Sequence, residues 1–377
     1  MKFSKITSGS LAAALVVALA IPVISTTSAS ATHRDYSKIT NASQGGRLTG
    51  LEDECKKEGQ LNVIALPHYW ANYAGMIAGF KAKYGVKVDE ADPEAGSQDE
   101  IDAALRNKGT KRSPDVFDIG LSVAAKYAGT GTFAPYKVQK WNYLLGAAAK
   151  SPTGEFTPNY TGTMTIGYSG ELGTITKLDD LLLPKFKGKI ALNGDPTISG
   201  AALNGVFMIN KALGGTFDDL SKGVAFFKKL KDVGNFINVN PTPSTIAAGQ
   251  TPVVIDNGYL AVGVQKLMAA AGKSWKMYTP ASVGSTYNSA VSAWAPNPAC
   301  ARLWLEYTLS EEGANIWAGG GATPTLWLRM VTTRRVSAEG VAAIGKSKIS
   351  AEAATSAQAK AAVVYLKTAW PAAVGTN

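Results

Sequence analysis

Short apolar strands alternate with amphipathic helices along most of this chain, and this alternation restricts the fold more than any other feature. The first unit runs from an apolar strand at 61–66, through a helix at 71–84, to a second short strand at 86–88. The alternation continues with strands at 115–121, 189–192 and 251–255 and helices at 100–107, 123–130, 200–213, 217–230, 258–271 and 351–373. Strands that are separated by helices predict parallel sheets covered on both faces, and therefore an α/β fold.

The first 31 residues differ in charge and hydropathy from the rest of the chain. Lys2 and Lys5 precede an apolar run at 11–24, and the small residues Ala29-Ser30-Ala31 follow it. This order is typical of an export signal, so we expect residues 1–31 to be removed by cleavage after Ala31. The apolar run is shorter than the roughly 20 residues that cross a bilayer. We therefore expect a secreted protein, either periplasmic or associated with the cell wall.

The remainder of the 377-residue chain is long enough for two lobes, each with its own core. The formal net charge is +10, but the Lys and Arg residues are scattered and do not form a basic block interleaved with aromatic residues. Dispersed lysines are typical of solvated faces, so we do not expect nucleic-acid binding.

Two cysteines, Cys55 and Cys300, stand far apart in the sequence. In an oxidising compartment an isolated pair indicates one potential disulfide, whereas metal ligation would need more ligands at close spacing. We therefore expect no metal site. The sequence alone does not place the two Cα atoms within bridging distance, so a disulfide and two free thiols both stay open.

The usual catalytic motifs are missing from the sequence. There are only two histidines, His33 and His68, and no G-x-S-x-G or H-E-x-x-H pattern occurs. A Ser-His-Asp site would have to use His68. We do not expect an enzyme, and an exported hydrolase that depends on His68 is a distant alternative.

Aromatic and small polar residues collect directly after four of the predicted strands. These clusters are at 68–73, at Ser122, at 195–200 and at 256–259. In open parallel sheets, ligands bind in the crevice at the carboxyl ends of the strands, so the four loops predict one shared site. The alternative is that each cluster only caps a helix. Ser199 would be a good N-cap in either case, and the free amides of its first helical turn could also hold an anion.

Three segments carry a family resemblance. The most specific is LDDLLLPKFKGKIALNGDPTISG at 178–200, and FKAKYGVKV at 80–88 and YTLSEEG at 307–313, within a predicted helix at 299–314, support it. With these segments the chain resembles the extracellular solute-binding proteins of ABC importers (family 1), in the branch that includes spermidine/putrescine, iron(III) and phosphonate receptors.

The resemblance implies a two-lobe periplasmic-binding-protein fold of type II, with crossover strands that form a hinge. Residues 32–160 and 285–325 would form the first lobe, and residues 161–284 and 326–377 the second. A small solute would bind between the lobes, which would close around it by hinge motion. The closed complex would then dock on permease subunits in the membrane. We expect a monomer that has no cofactor.

The resemblance also suggests site residues. Trp70 and Tyr73 match aromatic residues that line the cleft of polyamine receptors, and Glu171 falls where those receptors place an amine-binding acid. The full set of expected ligand-binding residues is Trp70, Tyr73, Ser122, Glu171, Thr197, Ser199, Asp256, Tyr259 and Tyr287.

Some positions depart from the family pattern. Asp256 stands where the polyamine group has a tryptophan, and Ser289 stands where an aspartate is expected. The iron branch has adjacent tyrosines where this chain offers only Tyr259. Glu171, Asp256 and the aromatic residues favour a cationic or zwitterionic, polyamine-like solute. The alternatives are an anionic solute such as a phosphonate, favoured by the helix start at Ser199 and the positive net charge, and ferric iron.

Overall fold

A computed structural model describes residues 34–145, 150–345 and 351–375 of the chain. The export signal predicted at 1–31 lies outside these residues. Among the described helices, none combines the length and the apolar character that a membrane crossing requires.

The described residues form eleven strands and thirteen α-helices, together with four short 3₁₀ helices. The strands are β1 (Gln60–Ile64), β2 (Lys87–Ala91), β3 (Val116–Gly120), β4 (Phe133–Ala134), β5 (Thr157–Ser169), β6 (Ile190–Leu192), β7 (Phe236–Ile237), β8 (Val253–Asn257), β9 (Trp275–Tyr278), β10 (Gly284–Ser292) and β11 (Thr323–Pro324). The helices are α1 (Arg47–Glu58), α2 (Tyr73–Tyr84), α3 (Ser97–Arg106), α4 (Leu121–Tyr127), α5 (Gly200–Ala212), α6 (Ser221–Asp232), α7 (Pro243–Ala247), α8 (Gly258–Ala270), α9 (Pro298–Thr308), α10 (Glu311–Gly319), α11 (Trp327–Thr332), α12 (Ala338–Ile344) and α13 (Ser356–Val374). The predicted alternation is therefore confirmed, with ends that shift by a few residues.

The helix predicted at 299–314 is wrong in one respect, because two helices, α9 and α10, occupy this segment. The helix is interrupted at Ser310. The side chain of Ser310 accepts a hydrogen bond from the backbone N–H of Gly313 and caps the second helix. A serine at this position competes with the helical hydrogen bonds and favours a new helix start.

The strands form two sheets, one of two strands and one of nine. β1 pairs with β2 in parallel, and β6 pairs in parallel with both β7 and β8. β5 and β10, in contrast, run antiparallel to each other and to β8 and β3, respectively. The larger sheet is therefore mixed, so the expectation of parallel sheets fails for β5 and β10.

β5 and β10 connect two separate hydrophobic cores. The first half of β5 pairs with β10 and places Tyr160 in the first core, while its second half pairs with β8 and places Met164 and Ile166 in the second core. β10 follows Val283 of the second core and carries Val291 of the first. These two strands thus cross between the cores, as the resemblance implies.

We call the elements around these cores the first and second lobes. The first core includes Phe80 and Trp304, and the second includes Phe227 and Trp370 of α13. Met330 of α11 packs in the first core, and α12 packs against α10. We therefore propose that residues 326–345 belong to the first lobe, and that only the terminal segment around α13 returns to the second.

A disulfide between Cys55 and Cys300 joins α1 to α9, with the Cα atoms 4.5 Å apart. The adjacent Glu58 carboxylate accepts hydrogen bonds from the backbone N–H groups of Ala299 and Cys300. These N–H groups lie in the first turn of α9 and have no partner within the helix, so Glu58 caps it. The disulfide and the cap together fix α1 on the first lobe.

Candidate functional site

A cavity of about 210 Å³ lies between the two lobes. The loop after β1, the start of α3 and the middle of β3 form its first-lobe wall. The loop between β6 and α5 forms its second-lobe wall. The residues that line it are Ala65, Pro67, Tyr69, Trp70, Pro93, Glu94, Ala95, Gly96, Ser97, Asp99, Glu100, Asp118, Asn193, Gly194, Asp195, Ile198, Ser199, Ala201, Asn240 and Tyr287. We call this space the acidic chamber.

A chain of hydrogen bonds fixes one wall of the acidic chamber. The indole Nε1 of Trp70 donates to the hydroxyl oxygen of Tyr160 over 2.7 Å, and the Tyr160 hydroxyl donates to Oδ2 of Asp118 over 2.6 Å. Trp70 comes from the loop after β1, Tyr160 from the crossing strand β5, and Asp118 from β3. Three separate elements therefore hold the Asp118 carboxylate in place.

Asp118 and Glu100 form a buried acidic pair. The backbone N–H of Asp118 donates to Oε2 of Glu100 over 2.9 Å, while Oδ1 of Asp118 is buried and has no hydrogen-bond partner. Burial raises the pKa of Asp118 to about 7. Burial, with the nearby Asp118 charge as a second cause, raises the pKa of Glu100 well above its usual range. Burial therefore disfavours the ionised form of both acids, and neither forms an ion pair within the described residues that would offset this cost.

Three further carboxylates complete the lining. Glu94 accepts a hydrogen bond from the Tyr69 hydroxyl at 2.6 Å, Asp99 accepts one from the backbone N–H of Gly96, and Asp195 accepts two from Thr197. In the described part of the chain, none of the five acids forms an ion pair, and no Lys, Arg or His lines the chamber. The site is therefore acidic although the whole chain carries a net charge of +10.

Aromatic rings pack beside these acids. Trp70 meets the ring of Tyr287 edge-on at 5.2 Å and the ring of Tyr259 at 5.8 Å, and Tyr160 lies parallel to Tyr287 at 5.7 Å. Trp70 and Tyr287 also line the chamber. An aromatic face next to carboxylates attracts an organic cation through its quadrupole.

The start of α5 borders the chamber but already has partners. Oγ of Ser199 accepts from the backbone N–H of Ala202 at 3.3 Å and donates to the carbonyl of Asn193 at 2.9 Å. The backbone N–H of Ala201 interacts with the Tyr287 phenol. Part of the positive helix end that could hold an anion is therefore occupied by protein groups.

The backbones of the two lobes approach each other closely at two glycines. A Cβ atom added to Gly200 would lie 2.9 Å from the Cα of Gly120, and one added to Gly120 would lie 2.8 Å from the Cα of Gly200. Gly120 ends β3 in the first lobe, and Gly200 begins α5 in the second. Only residues without a side chain permit this contact.

Asp256 and Tyr259 lie in a neighbouring cavity between the same lobes. Oδ2 of Asp256 accepts a hydrogen bond from Nδ2 of Asn193 at 2.7 Å, and Oδ1 accepts one from the backbone N–H of Asn257. Burial raises the pKa of Asp256 to about 7. Asn193 lines both cavities, so the two spaces adjoin.

The structure brings together five of the nine residues expected to bind the ligand. Trp70, Ser199 and Tyr287 line the acidic chamber, and Asp256 and Tyr259 line the neighbouring cavity.

The other four expected residues line neither cavity. Tyr73 is buried against the ring of Trp317 behind the chamber wall, where its phenol interacts with the Asp118 carboxyl and with Tyr160. Ser122 lines a separate small crevice.

Thr197 bonds to Asp195 and lines neither space. Glu171 is exposed and lines neither space, because β5 continues to Ser169 and carries it past the edge of the sheet.

Sequence reasoning missed the residues that give the site its charge. Asp118 is the one acid inside the apolar run Val116-Phe117-Asp118-Ile119, and that interruption was the available signal. Glu94, Asp99 and Glu100 lie around an exposed-looking helix start, where acids are common without any ligand.

His68 lies at the exposed edge of the neighbouring cavity. Its Nε2 is 2.7 Å from Oε2 of Glu90, which comes from β2. The contact with Glu90 therefore accounts for the position of the His68 ring. It joins the loop after β1 to the adjacent strand at the surface.

Comparisons with known structures agree with this architecture. The structure is similar to the periplasmic binding protein AfuA from Actinobacillus pleuropneumoniae with fructose-6-phosphate bound (TM-score 0.63, 19% identity, 84% of this chain and 99% of that chain). It is also similar to iron-bound HitA from Pseudomonas aeruginosa, with a TM-score of 0.60 and 18% identity over 84% of this chain and 99% of that chain. A Listeria monocytogenes protein described as a spermidine/putrescine ABC transporter gives a TM-score of 0.61 and 16% identity over 82% of this chain and 99% of that chain. The expected α/β, two-lobe periplasmic-binding-protein fold is confirmed.

A family model for bacterial extracellular solute-binding proteins matches residues 111–364. The match covers about two thirds of the chain and includes the crossing strands β5 and β10 as well as most of both lobes. The chain therefore belongs to the bacterial extracellular solute-binding protein family.

Proposed function

We propose that this protein, a solute-binding receptor of an ABC importer, binds a small cationic solute in the acidic chamber. The observation that carries the proposal is the lining, which has five carboxylates and no basic side chain among the described residues. Two of these carboxylates, Glu100 and Asp118, are buried. Buried carboxylates without a counter-charge are costly, and a bound cation removes that cost. As in the rest of the family, the receptor acts outside the cytoplasm and delivers its solute to membrane permease subunits without changing it.

A solute ammonium fits the donors and acceptors that are present. It has three N–H donors and no acceptor, which matches carboxylates that have free lone pairs. Oδ1 of Asp118 is the acceptor without a partner, and Trp70 and Tyr287 supply aromatic surface for the positive charge.

An anionic solute or ferric iron fits this lining less well. A phosphonate would have to approach five carboxylates, and the first turn of α5 already interacts with Ser199 and Tyr287. For iron, the acids of the chamber do not converge, since the one cluster of three metal-ligating groups in the described residues is Cys55, Glu58 and Cys300 at the disulfide. The fold is shared by receptors of different ligand types, so the support for a cation comes from the lining of the chamber and not from the fold.

A thermal-shift screen tests the proposal directly. Purified protein is heated with amines, diamines, phosphonates, sugar phosphates, neutral sugars and ferric citrate. We expect stabilisation by ammonium compounds and none by phosphonates, since a ligand stabilises the state that binds it. A large shift with a phosphonate and none with any amine would refute the cationic solute.

Ser199→Asp distinguishes the two charge types. The substitution adds a sixth acid to the chamber and keeps a good N-cap for α5. We expect the affinity for a small ammonium to stay within about threefold of wild type or to increase, as measured by calorimetry. Loss of ammonium binding in this variant would contradict the assignment.

We also propose that the lobes close by a hinge at β5 and β10, with Gly120 and Gly200 in contact in the closed state. Gly200→Ala places a methyl group 2.9 Å from the Cα of Gly120 and should hold the lobes apart. We expect about tenfold weaker binding, because overpacking costs roughly 1–3 kcal/mol. Small-angle scattering should show a larger radius of gyration for the ligand-saturated variant than for wild type. Ala269→Val, which adds methyl groups at an exposed position of α8 that lines neither cavity, is the control.

A further inference from the structure

The neighbouring cavity that contains Asp256 is larger than the acidic chamber, at about 400 Å³, and its chemistry is different. Its second-lobe wall is largely apolar and comes from α7, α8 and the loop before α7. The apolar side chains in this wall are Pro241, Pro243, Ile246, Leu260, Val262, Val264 and Leu267. We call this space the apolar chamber.

The first lobe closes the apolar chamber from the other side. His68, Asn72, Gly320 and Glu339 line that side. Because both lobes contribute, the apolar chamber belongs to the same interlobe cleft as the acidic chamber. A ligand that reached it would contact both lobes.

Two side chains, Tyr69 and Asn193, separate the chambers, since they alone line both. Each of them donates a hydrogen bond to an acidic side chain. The Tyr69 hydroxyl donates to Glu94 at 2.6 Å, and Nδ2 of Asn193 donates to Asp256 at 2.7 Å. Tyr69 is 38% exposed, so it is not packed into the core. A cation that binds Glu94 competes with the Tyr69 hydroxyl and frees that ring to move.

Buried polar atoms without partners lie along this boundary. The Tyr259 hydroxyl and Oδ1 of Asp118 are both buried and have no hydrogen-bond partner, and their residues line the apolar and the acidic chamber, respectively. Such groups usually have a partner in a complete site, protein or ligand. Their positions indicate that the natural ligand extends along both spaces.

We propose that the solute is an amine with an apolar substituent, whose ammonium group binds in the acidic chamber and whose alkyl or aryl part extends past Tyr69 and Asn193 into the apolar chamber. The inference rests on the proposed function and narrows the solute class. A compact polar cation would leave the exposed part of this apolar wall, at Pro243, Val262 and Leu267, in contact with water.

The acidic and lysine side chains of this chamber are Lys266 and Glu339, which are exposed, and Asp256, whose two oxygens already accept hydrogen bonds from Asn193 and Asn257. A second ammonium group would therefore lose hydration against the apolar wall without a buried carboxylate that lacks partners to receive it.

A series of straight-chain alkylammonium ions tests the inference by calorimetry. We expect the dissociation constant to fall about fourfold for each added methylene from ethylammonium to hexylammonium, the ratio that corresponds to about 0.8 kcal/mol per buried CH₂. Butane-1,4-diamine, which ends in a second charge, should bind more weakly than butylammonium.

Gly263→Phe provides a matched variant. Gly263 is an exposed residue of α8 that lines the apolar chamber, and an added Cβ meets nothing within 4 Å, so a large side chain enters open space. We expect ethylammonium to bind within about twofold of wild type while the gain with chain length disappears. Ala269→Phe puts the same ring on an exposed position of α8 that lines neither chamber and should behave as wild type.

The outcomes separate the two proposals. Binding of ethylammonium with no dependence on chain length overturns the apolar substituent and leaves the cationic receptor intact. An equal loss for short and long ions in Gly263→Phe also overturns it. If no alkylammonium of any length binds wild type, the proposed function itself fails.

Discussion

Asp118→Asn is expected to weaken ammonium binding about a hundredfold, which is the largest effect of any single substitution in the cleft. The variant keeps the shape of the side chain and an acceptor for the Tyr160 hydroxyl, but it removes the charge whose Oδ1 has no partner. Removing one member of a buried ion pair typically costs about 3–5 kcal/mol, and part of that cost is offset here because Glu100 remains. Calorimetric titration with a small ammonium measures the change.

The control for this substitution is Glu171→Gln. Glu171 is the acid to which the family resemblance assigns amine binding, yet it is exposed and lies outside both chambers. We expect its loss to change the affinity by less than about twofold, as for an isolated surface charge. If Glu171→Gln loses most of its affinity for ammonium while Asp118→Asn binds like wild type, the ligand does not bind in the acidic chamber.

Cation binding should depend strongly on pH and should release protons. Burial raises the pKa of Asp118 to about 7, with Glu100, Tyr73 and Tyr160 as its titratable neighbours. Below pH 7 the cation must displace a proton, so the affinity should fall by up to about tenfold per pH unit, or roughly 50-fold from pH 7 to pH 5. Titrations in buffers that differ in ionisation enthalpy count the released protons.

The stability of the unliganded protein should show the opposite trend. The folded state keeps a proton on Asp118 up to about pH 7, while an unfolded aspartate loses it near pH 4. Between these values the folded state binds more protons, so the contribution of Asp118 to the free energy of unfolding falls as pH rises.

Affinity that is constant from pH 5 to pH 8, or tighter at low pH, would contradict a cation held by this carboxyl.

The sequence was sufficient for the α/β class and for part of the cleft. Trp70 and Ser199 follow strands β1 and β6, and residues at the carboxyl ends of strands converge by geometry whatever their chemistry. The crossing strands were not recognised from periodicity, because β10 (Gly284–Ser292) is rich in small polar residues that are nevertheless buried by pairing on both sides.

The charge of the site could not be predicted from sequence because it depends on burial. Glu100 lies on a helix whose acids look solvated, and it becomes part of the site only when β3 places Asp118 beside it. Glu171 is the opposite case, because it matches an amine-binding position of the family and nevertheless lies outside the cleft. Ligand charge in this family therefore has to be inferred from the folded lining.

The most direct test compares two ligands of the same length and opposite charge. Butylammonium and butylphosphonate are titrated separately into the purified protein at pH 7.5, which is above the pKa of about 7 of Asp118. The carboxylate lining of the cleft predicts saturable binding of butylammonium and no measurable heat with butylphosphonate. Saturable binding of butylphosphonate without binding of butylammonium would contradict it.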